Sequence, residues 1–405
     1  MMMNERLQET VRWAYAQATA VRDHFDQAGI KPDDIQTMAD LARIPVMSKD
    51  AVIAMQQANP PFGGLLAVPM SDLRHIFFSP GPLYEPDNGD DPSLLRMTQL
   101  CLQQTGFQAG DVVLNALSYH LVPAGLLLDQ ALVGLGCTVV PGGVGNSDLQ
   151  LKMMADLGVT GYVGTPSFLM SLIQKAEENG RPFSEHFKLR RALVTAEPLP
   201  PSLRQTLTEQ YGLTVGNGYA TAELGFLALN VGGGLAMQLL PEPIVQIVDP
   251  DSGQTVGPGE AGEVVVTNFS HAYPLIRLGT GDLALNLDPN PGQSRQEERA
   301  IILVGRCGEA VKVRGMFVHP NQLRFAVGQV AGVAAAQAVI TRPENRDHFL
   351  LQVVLAGGED QATAVDKLTA AVQATCRVRP DHVNIVSSDS LTAGSATIQD
   401  ERRWT

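Results

Sequence analysis

From Leu7 to Ala28 apolar side chains recur at helical spacing, and Gly29 stands where a C-terminal cap would, so the chain is predicted to open on a helical segment. Between Asp111 and Tyr219 the pattern changes to short apolar runs separated by amphipathic stretches. The runs cover 112–117, 138–140, 161–164, 192–194 and 213–215. Helices are predicted after Pro123, from Ser147 as a cap, from Pro166 to Gly180, and after Pro200. Strand and helix in strict alternation predict a mainly parallel sheet. Ligands of such sheets sit at the carboxyl ends of the strands, so the loops after these runs are the first places to seek chemistry.

Beyond Gly233 the pattern shortens into strands with turn signals, at 244–248, at the Asp-Pro-Asp-Ser-Gly turn 249–253 and at 262–267, which predicts a small β-rich subdomain. Residues 288–299 are polar, with Pro, Gly and charge, and read as an exposed loop. From Val311 the predicted order is strand, helix 320–330, strand 334–341, strand 349–355, helix 360–376 and strand 383–386. That is a compact α+β cap of about one hundred residues. The boundary is placed at Gly305-Arg306, giving domains 1–305 and 306–405. The fold class is α/β: a large domain of parallel α/β sheet with a small β-rich subdomain, followed by the α+β cap.

The chain has 405 residues, enough for two domains and a sizeable core. A formal net charge of -13 repels nucleic acid and anionic membranes, so neither is an expected partner. Cys101, Cys137, Cys307 and Cys376 lie far apart with no Cys-x-x-Cys pair. Neither a disulfide framework nor a zinc site is predicted, and a reducing compartment is. The first residues run straight into charged amphipathic sequence, so no signal peptide is expected. The most apolar region, 121–140, is broken by Pro123, Asp129 and Gln130 and is too interrupted for a membrane span. A cytoplasmic protein is expected.

In Pro274-Leu275-Ile276-Arg277-Leu278-Gly279-Thr280-Gly281-Asp282 a tight Gly-Thr-Gly turn presents one carboxylate, which can accept hydrogen bonds from two vicinal hydroxyls such as those of a ribose. Gly305-Arg306 follows, and then Val311-Lys312-Val313-Arg314-Gly315-Met316-Phe317-Val318-His319-Pro320, a basic glycine turn before a helix. Tyr219-Ala220-Thr221-Ala222-Glu223 follows a predicted strand end. It suits an aromatic ring stacked on a flat base and a carboxylate holding magnesium against phosphate oxygens.

In this order the motifs resemble those of adenylate-forming, AMP-binding enzymes, and Phe62-Gly63-Gly64-Leu65-Leu66-Ala67-Val68-Pro69 resembles the phenylacetate-CoA ligase branch. The resemblance covers nearly the whole chain. It implies an ATP-dependent ligase that joins a carboxylic acid, aromatic acids among the candidates, to coenzyme A through an acyl-adenylate, with Mg2+ balancing the phosphates. It further implies that Asp282 binds ribose, that Arg306 sits at a hinge beside the nucleotide, and that Lys312 and Gly315 belong to the loop approaching coenzyme A. Glu223 becomes the magnesium ligand and, with Arg306, a catalytic residue. Tyr219 and Thr221 join the nucleotide site, although Ala220 stands for the family's glycine and Ala222 for a hydroxyl residue that Thr221 would have to replace. Thr195-Ala196-Glu197-Pro198 resembles the adenine-facing loop. Tyr119 and His120, with Gly142, Gly143 and Gly164, resemble the walls of the acyl pocket. A homodimer is the family expectation.

Two segments depart from the family pattern. Its phosphate loop reads Ser-Ser-Gly-Thr-Thr-Gly-Lys-Pro, and the matching segment here is Ser79-Pro80-Gly81-Pro82-Leu83-Tyr84-Glu85-Pro86, with Ser79, Gly81 and Glu85 as the candidate contacts. Two prolines remove amide donors, Leu83 removes a hydroxyl, and Glu85 sets a negative charge where a lysine meets phosphate. A magnesium ion bridging Glu85 and the phosphates would reverse the sign. At the C-terminus the family's adenylation lysine is missing, with Ala396 and Thr397 at the candidate positions, so Arg402 or Arg403 would have to supply the charge. These departures sustain two alternatives: a non-catalytic protein that binds nucleotide, acyl group or coenzyme A, and an adenylating enzyme with another acceptor.

Overall fold

The computed structural model describes residues 3–79, 83–89, 91–314, 316–318, 320–343, 347–356, 360–376, 378–387, 390–391 and 397–402. They fall into two units, the first of residues 1–245, 265–280 and 292–301, the second of residues 246–264, 281–291 and 302–405.

In the first unit the strands Thr138–Val140, Val112–Asn115, Gly161–Gly164, Arg191–Val194 and Thr214–Thr221 lie side by side in that order, each pair parallel. Successive residues of a strand point to opposite faces, and here both faces are buried. Val113, Val163 and Leu193 pack with Met97, Cys101, Leu128 and Leu132 of the helices Pro92–Gln104 and Ala124–Gly134. Their neighbours Leu114, Tyr162, Ala192 and Val194 pack with residues of the helices Ser147–Leu157 and Pro166–Glu178. The parallel sheet is thus the one the alternating pattern predicts.

Local differences have local causes. The opening segment is two helices, Met3–Gln17 and Thr19–Gln27, because Ala18 is extended at φ -98 and ψ 111. Ser147 is the first helical residue, preceded by Asn146 in the left-handed region at φ 53. The segment read as an exposed loop at 288–299 contains a buried anchor. Gln296 accepts from the Val245 amide at 2.8 Å and donates to the carbonyls of Leu240 and Pro243 at 2.7 and 2.5 Å. Amide side chains carry both donor and acceptor, which lets one glutamine serve three backbone groups.

Arg277 ties the N-terminal segment to the motif strand. It is 1 % exposed, and its guanidinium donates to the carbonyls of Leu41 and Ile44. Next to it, Met47 and Ser48 pair in parallel with Leu278 and Gly279. Burial lowers the Arg277 pKa to about 10.

The strands Ile244–Val248, Ala261–Thr267 and Leu278–Leu287 are neighbours in one sheet, and their residues 246–248, 261–264 and 281–287 belong to the second unit. Asp249 makes the predicted turn, accepting from the amides of Asp251 and Ser252. The later part is a four-stranded sheet in the order His382–Ile385, His348–Leu355, Val333–Thr341 and Ile398–Asp400. The helices Pro320–Gly328 and Gln361–Cys376 cover it through Leu323, Val327, Leu368 and Val372. The strand Ile398–Asp400 was not legible in the sequence, being three residues long with one buried side chain. It pairs in parallel with Ala338–Ile340.

Candidate functional site

Glu223 and Lys49 come together from distant parts of the sequence. Ser48 caps the helix Lys49–Ala58, accepting from the Ala51 amide at 3.1 Å, and the pairing of Met47 and Ser48 fixes where that helix starts. Lys49 Nζ then lies 2.8 Å from Glu223 Oε1, the carboxylate being 5 % exposed and the lysine 25 %. Glu223 follows the strand Thr214–Thr221, whose register against Gly225–Asn230 shifts between Tyr219 and Ala220. Such a bulge re-aims the side chains that follow it. Thr221 Oγ1 and Glu223 Oε2 are buried without a hydrogen-bond partner. Tyr219 is 8 % exposed and its hydroxyl lies 3.5 Å from Thr280 Oγ1, so little of the ring is open for stacking.

The segment aligned with the phosphate loop is half of a hairpin. His75–Ser79 and Leu83–Asp87 pair antiparallel, with Phe77 opposite Glu85 and Ser79 opposite Leu83. Alternation turns Phe77, Ser79, Leu83 and Glu85 inward and leaves Ile76, Phe78 and Tyr84 exposed. Gln56 locks the hairpin by exchanging two bonds with the Tyr84 backbone, at 2.9 and 2.8 Å, and it also donates to the Tyr273 hydroxyl at 3.0 Å. Glu85 is 5 % exposed and neither carboxylate oxygen has a partner. Burial pushes its carboxyl up to about 7; the nearby Ser79 hydroxyl, outside bonding geometry, pulls it down, Glu223 adds to the rise, and Lys49 opposes it. Gly81 lies outside the described residues.

Other predicted residues serve the backbone. Ala196 is left-handed at φ 71, a strained conformation for a residue with a Cβ. Glu197 Oε1 accepts from the Ser167 amide at 2.7 Å in the first turn of the helix Pro166–Glu178, beside Pro198. Tyr119 donates to Asp129 at 2.8 Å and accepts from Asn115, while His120 is exposed. Of the predicted wall glycines, a Cβ at Gly164 would lie 2.2 Å from the Tyr162 hydroxyl and one at Gly142 2.7 Å from Leu114, whereas Gly143 has nothing within 4 Å. A side chain at Gly164 or Gly142 would therefore crowd Tyr162 or Leu114.

In the second unit Arg306 Nη1 lies 2.6 Å from Asp282 Oδ1, and Glu263 Oε1 accepts from the Gly281 amide at 2.9 Å. Burial raises the Glu263 pKa, against that amide bond. Gly315 lies outside the described residues, as does the Lys312 side chain, and so does Ala396. Thr397 Oγ1 accepts from Arg324 at 2.8 Å. Arg402, which was to supply a charge, is paired with Asp347 and Asp400 at 3.3 and 2.7 Å and is 7 % exposed. Burial alone would raise the Asp347 pKa, but hydrogen bonds from Arg342, the Arg314 amide and Arg402 hold it at about 2.

A cavity of about 200 Å³ opens beside the hairpin, walled by it and by the helices Pro92–Gln104 and Ala124–Gly134. Of the residues predicted from sequence it takes in Glu85 and Glu223, and none of the proposed acyl-pocket walls. Lys49, Gln56 and Tyr273 were missed by sequence reasoning, since each stands far along the chain from its partners. Among the described residues no group of three or more His, Cys, Asp or Glu could hold a metal ion, and no helix is long and apolar enough to cross a membrane.

Residues 93–271 match the family model described as AMP-binding enzyme. The chain is 28% identical over 340 residues to a phenylacetate-coenzyme A ligase of Pseudomonas putida, covering 80% of this chain and 74% of that protein. It is 27% identical over 386 residues to a phenylacetate-coenzyme A ligase of Aromatoleum evansii, covering 91% and 80%. A crystal structure of an open conformation of 2-hydroxyisobutyryl-CoA ligase, in complex with 2-HIB-AMP and CoA, superposes with a TM-score of 0.80 at 24% identity, over 98% of this chain and 90% of that one. That likeness shows a shared fold.

Proposed function

We propose, for a chain that belongs to the adenylate-forming, AMP-binding enzymes with phenylacetate-CoA ligases among its relatives, that it joins a carboxylic acid to coenzyme A with ATP, through an acyl-adenylate. The observation that carries this reading is the pair of unpartnered buried atoms, Thr221 Oγ1 and Glu223 Oε2, at the end of the strand Thr214–Thr221. An unmet buried polar group costs about 1–3 kcal/mol, so two of them separated by Ala222 alone argue for partners brought by a ligand. The threonine hydroxyl can donate to a phosphate oxygen. The free carboxylate oxygen is the hard donor that magnesium takes, and a bound magnesium ion would neutralise phosphate charge. Lys49 holds the other oxygen of Glu223 and so orients the free one.

In this reading Asp282 receives the ribose hydroxyls, Arg306 meets the nucleotide, and Ala196, Glu197 and Pro198 face the base. Tyr119, His120 and Gly143 belong to the acyl side. Residues 1–305 carry adenylation and residues 306–405 act as the cap, with Lys312 and Gly315 toward coenzyme A. The acid is left as a class, with aromatic acids the first to test.

A second reading, a protein that binds nucleotide or coenzyme A without adenylating, is favoured by Glu85 in the position of the family's lysine and by the neutral Thr397 hydroxyl held by Arg324. Calorimetric titration with ATP and Mg2+, with AMP, and with coenzyme A separates the two. Magnesium-dependent ATP binding, weakened at least tenfold in Glu223→Gln, supports the ligase. Binding of AMP or coenzyme A without ATP supports the second reading.

A further inference from the structure

Two buried amide side chains hold the loops that follow neighbouring strands of the parallel sheet. Asn115 ends the strand Val112–Asn115 and is fully buried. Its Nδ2 donates to the Tyr119 hydroxyl at 2.8 Å and to the Gly125 carbonyl at 2.9 Å, and its Oδ1 accepts from the Leu117 amide at 3.2 Å. These bonds brace the segment from Ala116 to Gly125. Gln150, in the helix Ser147–Leu157, is buried as well. Its Nε2 donates to the carbonyls of Gly145, Gly143 and Gly142 at 2.7, 3.0 and 3.3 Å, two N–H groups shared among three acceptors. The Gly143 amide in turn donates to the Asn115 carbonyl at 3.0 Å, which ties the second loop to the end of the first strand.

The turn after the strand Thr138–Val140 has little else to fix its shape. Gly143, Gly145 and Asn146 all have positive φ, at 62, 84 and 53, and glycine gives up more conformational freedom on ordering than any other residue. Side-chain packing adds little, because Val144 is 77 % exposed and a Cβ at Gly143 or Gly145 would meet nothing within 4 Å. Gln150 serves this turn at a cost to itself, since its Oε1 is buried without a hydrogen-bond partner. An apolar side chain of the same length would fill the space without that orphan, so it is the donor that this position needs.

We propose that Gln150 is a positioning residue that sets which acid this chain accepts. By holding the carbonyls of Gly142, Gly143 and Gly145 it fixes the loop that stands with Tyr119 and His120 on the acyl side. Gln150 acts through the loop and does not itself touch the acid. A substrate wall that shifts by about 1 Å costs up to a hundredfold in rate, because the reacting carboxylate is no longer held in line. Thr221 and Glu223, given above to phosphate and magnesium, belong to another strand and the turn after it, so loosening the Gly142–Gly145 turn leaves their bonds in place. The inference rests on the adenylation reading and on the assignment of Gly143 to the acyl side.

The test is ATP–pyrophosphate exchange by the whole protein over a panel of aromatic and aliphatic acids, with KM measured separately for acid and for ATP. Gln150→Met keeps the length of the side chain and removes the donor. Gly145→Ala strains the same turn from its exposed side, at φ 84, and leaves the core intact. In both variants KM for the preferred acid is expected to rise about tenfold, and its advantage over the next acid of the panel to narrow, while KM for ATP stays within about twofold. A melting curve on each variant checks that it folds. A role in stability alone would lower the melting temperature and leave the acid preference of the folded enzyme as it was. Unchanged acid KM and preference in the folded variants, or a KM for ATP that rises as much as that for acid, would overturn the proposal while the parent still exchanges. Absence of exchange in the parent with every acid would remove the adenylation reading, and this inference with it.

Discussion

Arg306 and Asp282 form an ion pair at 2.6 Å, joining the arginine read as a hinge residue to the carboxylate read as a ribose ligand. Arg306 is 56 % exposed and Asp282 19 %. A pair open to water on this scale contributes about 0–1 kcal/mol, so a ligand's hydroxyls can replace the guanidinium at small cost. Charge-assisted hydrogen bonds to a ribose contribute more, about 1.5–3 kcal/mol each. Asp282→Ala is therefore expected to weaken AMP and ATP binding by about ten- to a hundredfold while changing the melting temperature little. Unchanged affinity by calorimetry would remove the ribose assignment.

The Lys49 and Glu223 pair makes a prediction about stability. Lys49→Met leaves a carboxylate that is 5 % exposed without its cation, and losing one partner of a buried pair is strongly destabilising. Because Lys49 is itself partly exposed, a loss of about 2 kcal/mol in urea unfolding is expected. Lys49→Met with Glu223→Gln should be less destabilised than the sum of the single variants. Strict additivity would mean that the pair does not couple.

Glu85 predicts a pH dependence with a definite sign. Its carboxyl rises from 4.5 in the unfolded chain to about 7 in the fold. Below pH 4.5 both states hold the proton. Between 4.5 and about 7 the folded chain keeps a proton that the unfolded chain releases, so the contribution of this group to stability falls as pH rises, by about 3 kcal/mol in all. Above pH 7 the loss is complete. Glu85→Gln should flatten this part of the profile and be more stable than the parent at pH 8. Urea midpoints at pH 5 and pH 8 that shift in parallel for both proteins would show that Glu85 is not perturbed.

Thr397 tests the missing cation. If adenylation is limited only by charge at this position, Thr397→Lys should raise the rate of pyrophosphate release, since a stabiliser of developing phosphate charge contributes about 3 kcal/mol, or a hundredfold. Arg402 is not available for that role, being held by Asp347 and Asp400. No gain in rate would move the block to the hairpin at Glu85.

The parallel sheet was legible because its signal is local. Runs such as 161–164 and 192–194 are continuous apolar stretches, and Pro166 and Pro200 signal helix starts that no distant contact needs to supply. Asp282 and Arg306, singled out separately in the sequence, form an ion pair in the structure. What the sequence withheld depends on contacts between distant segments. Gln56 is identified as a hairpin lock only once Tyr84 and Tyr273 are beside it. Lys49 looks like a first-turn lysine until the pairing of Met47 with Leu278 sets its place near Glu223. Glu85 was read as a charge in a loop because the Phe77 and Glu85 register, which buries it, is a property of the hairpin.

The central claim, that this chain activates a carboxylic acid as its adenylate for transfer to coenzyme A, is tested most directly by ATP–pyrophosphate exchange over a panel of aromatic and short aliphatic acids. Mass detection of the thioester follows once coenzyme A is added. The account predicts exchange that depends on Mg2+ and on one class of acid, is lost in Glu223→Gln, and ends in an acyl-CoA product. Calorimetric binding of ATP with no exchange for any acid, at any protein concentration, would contradict it.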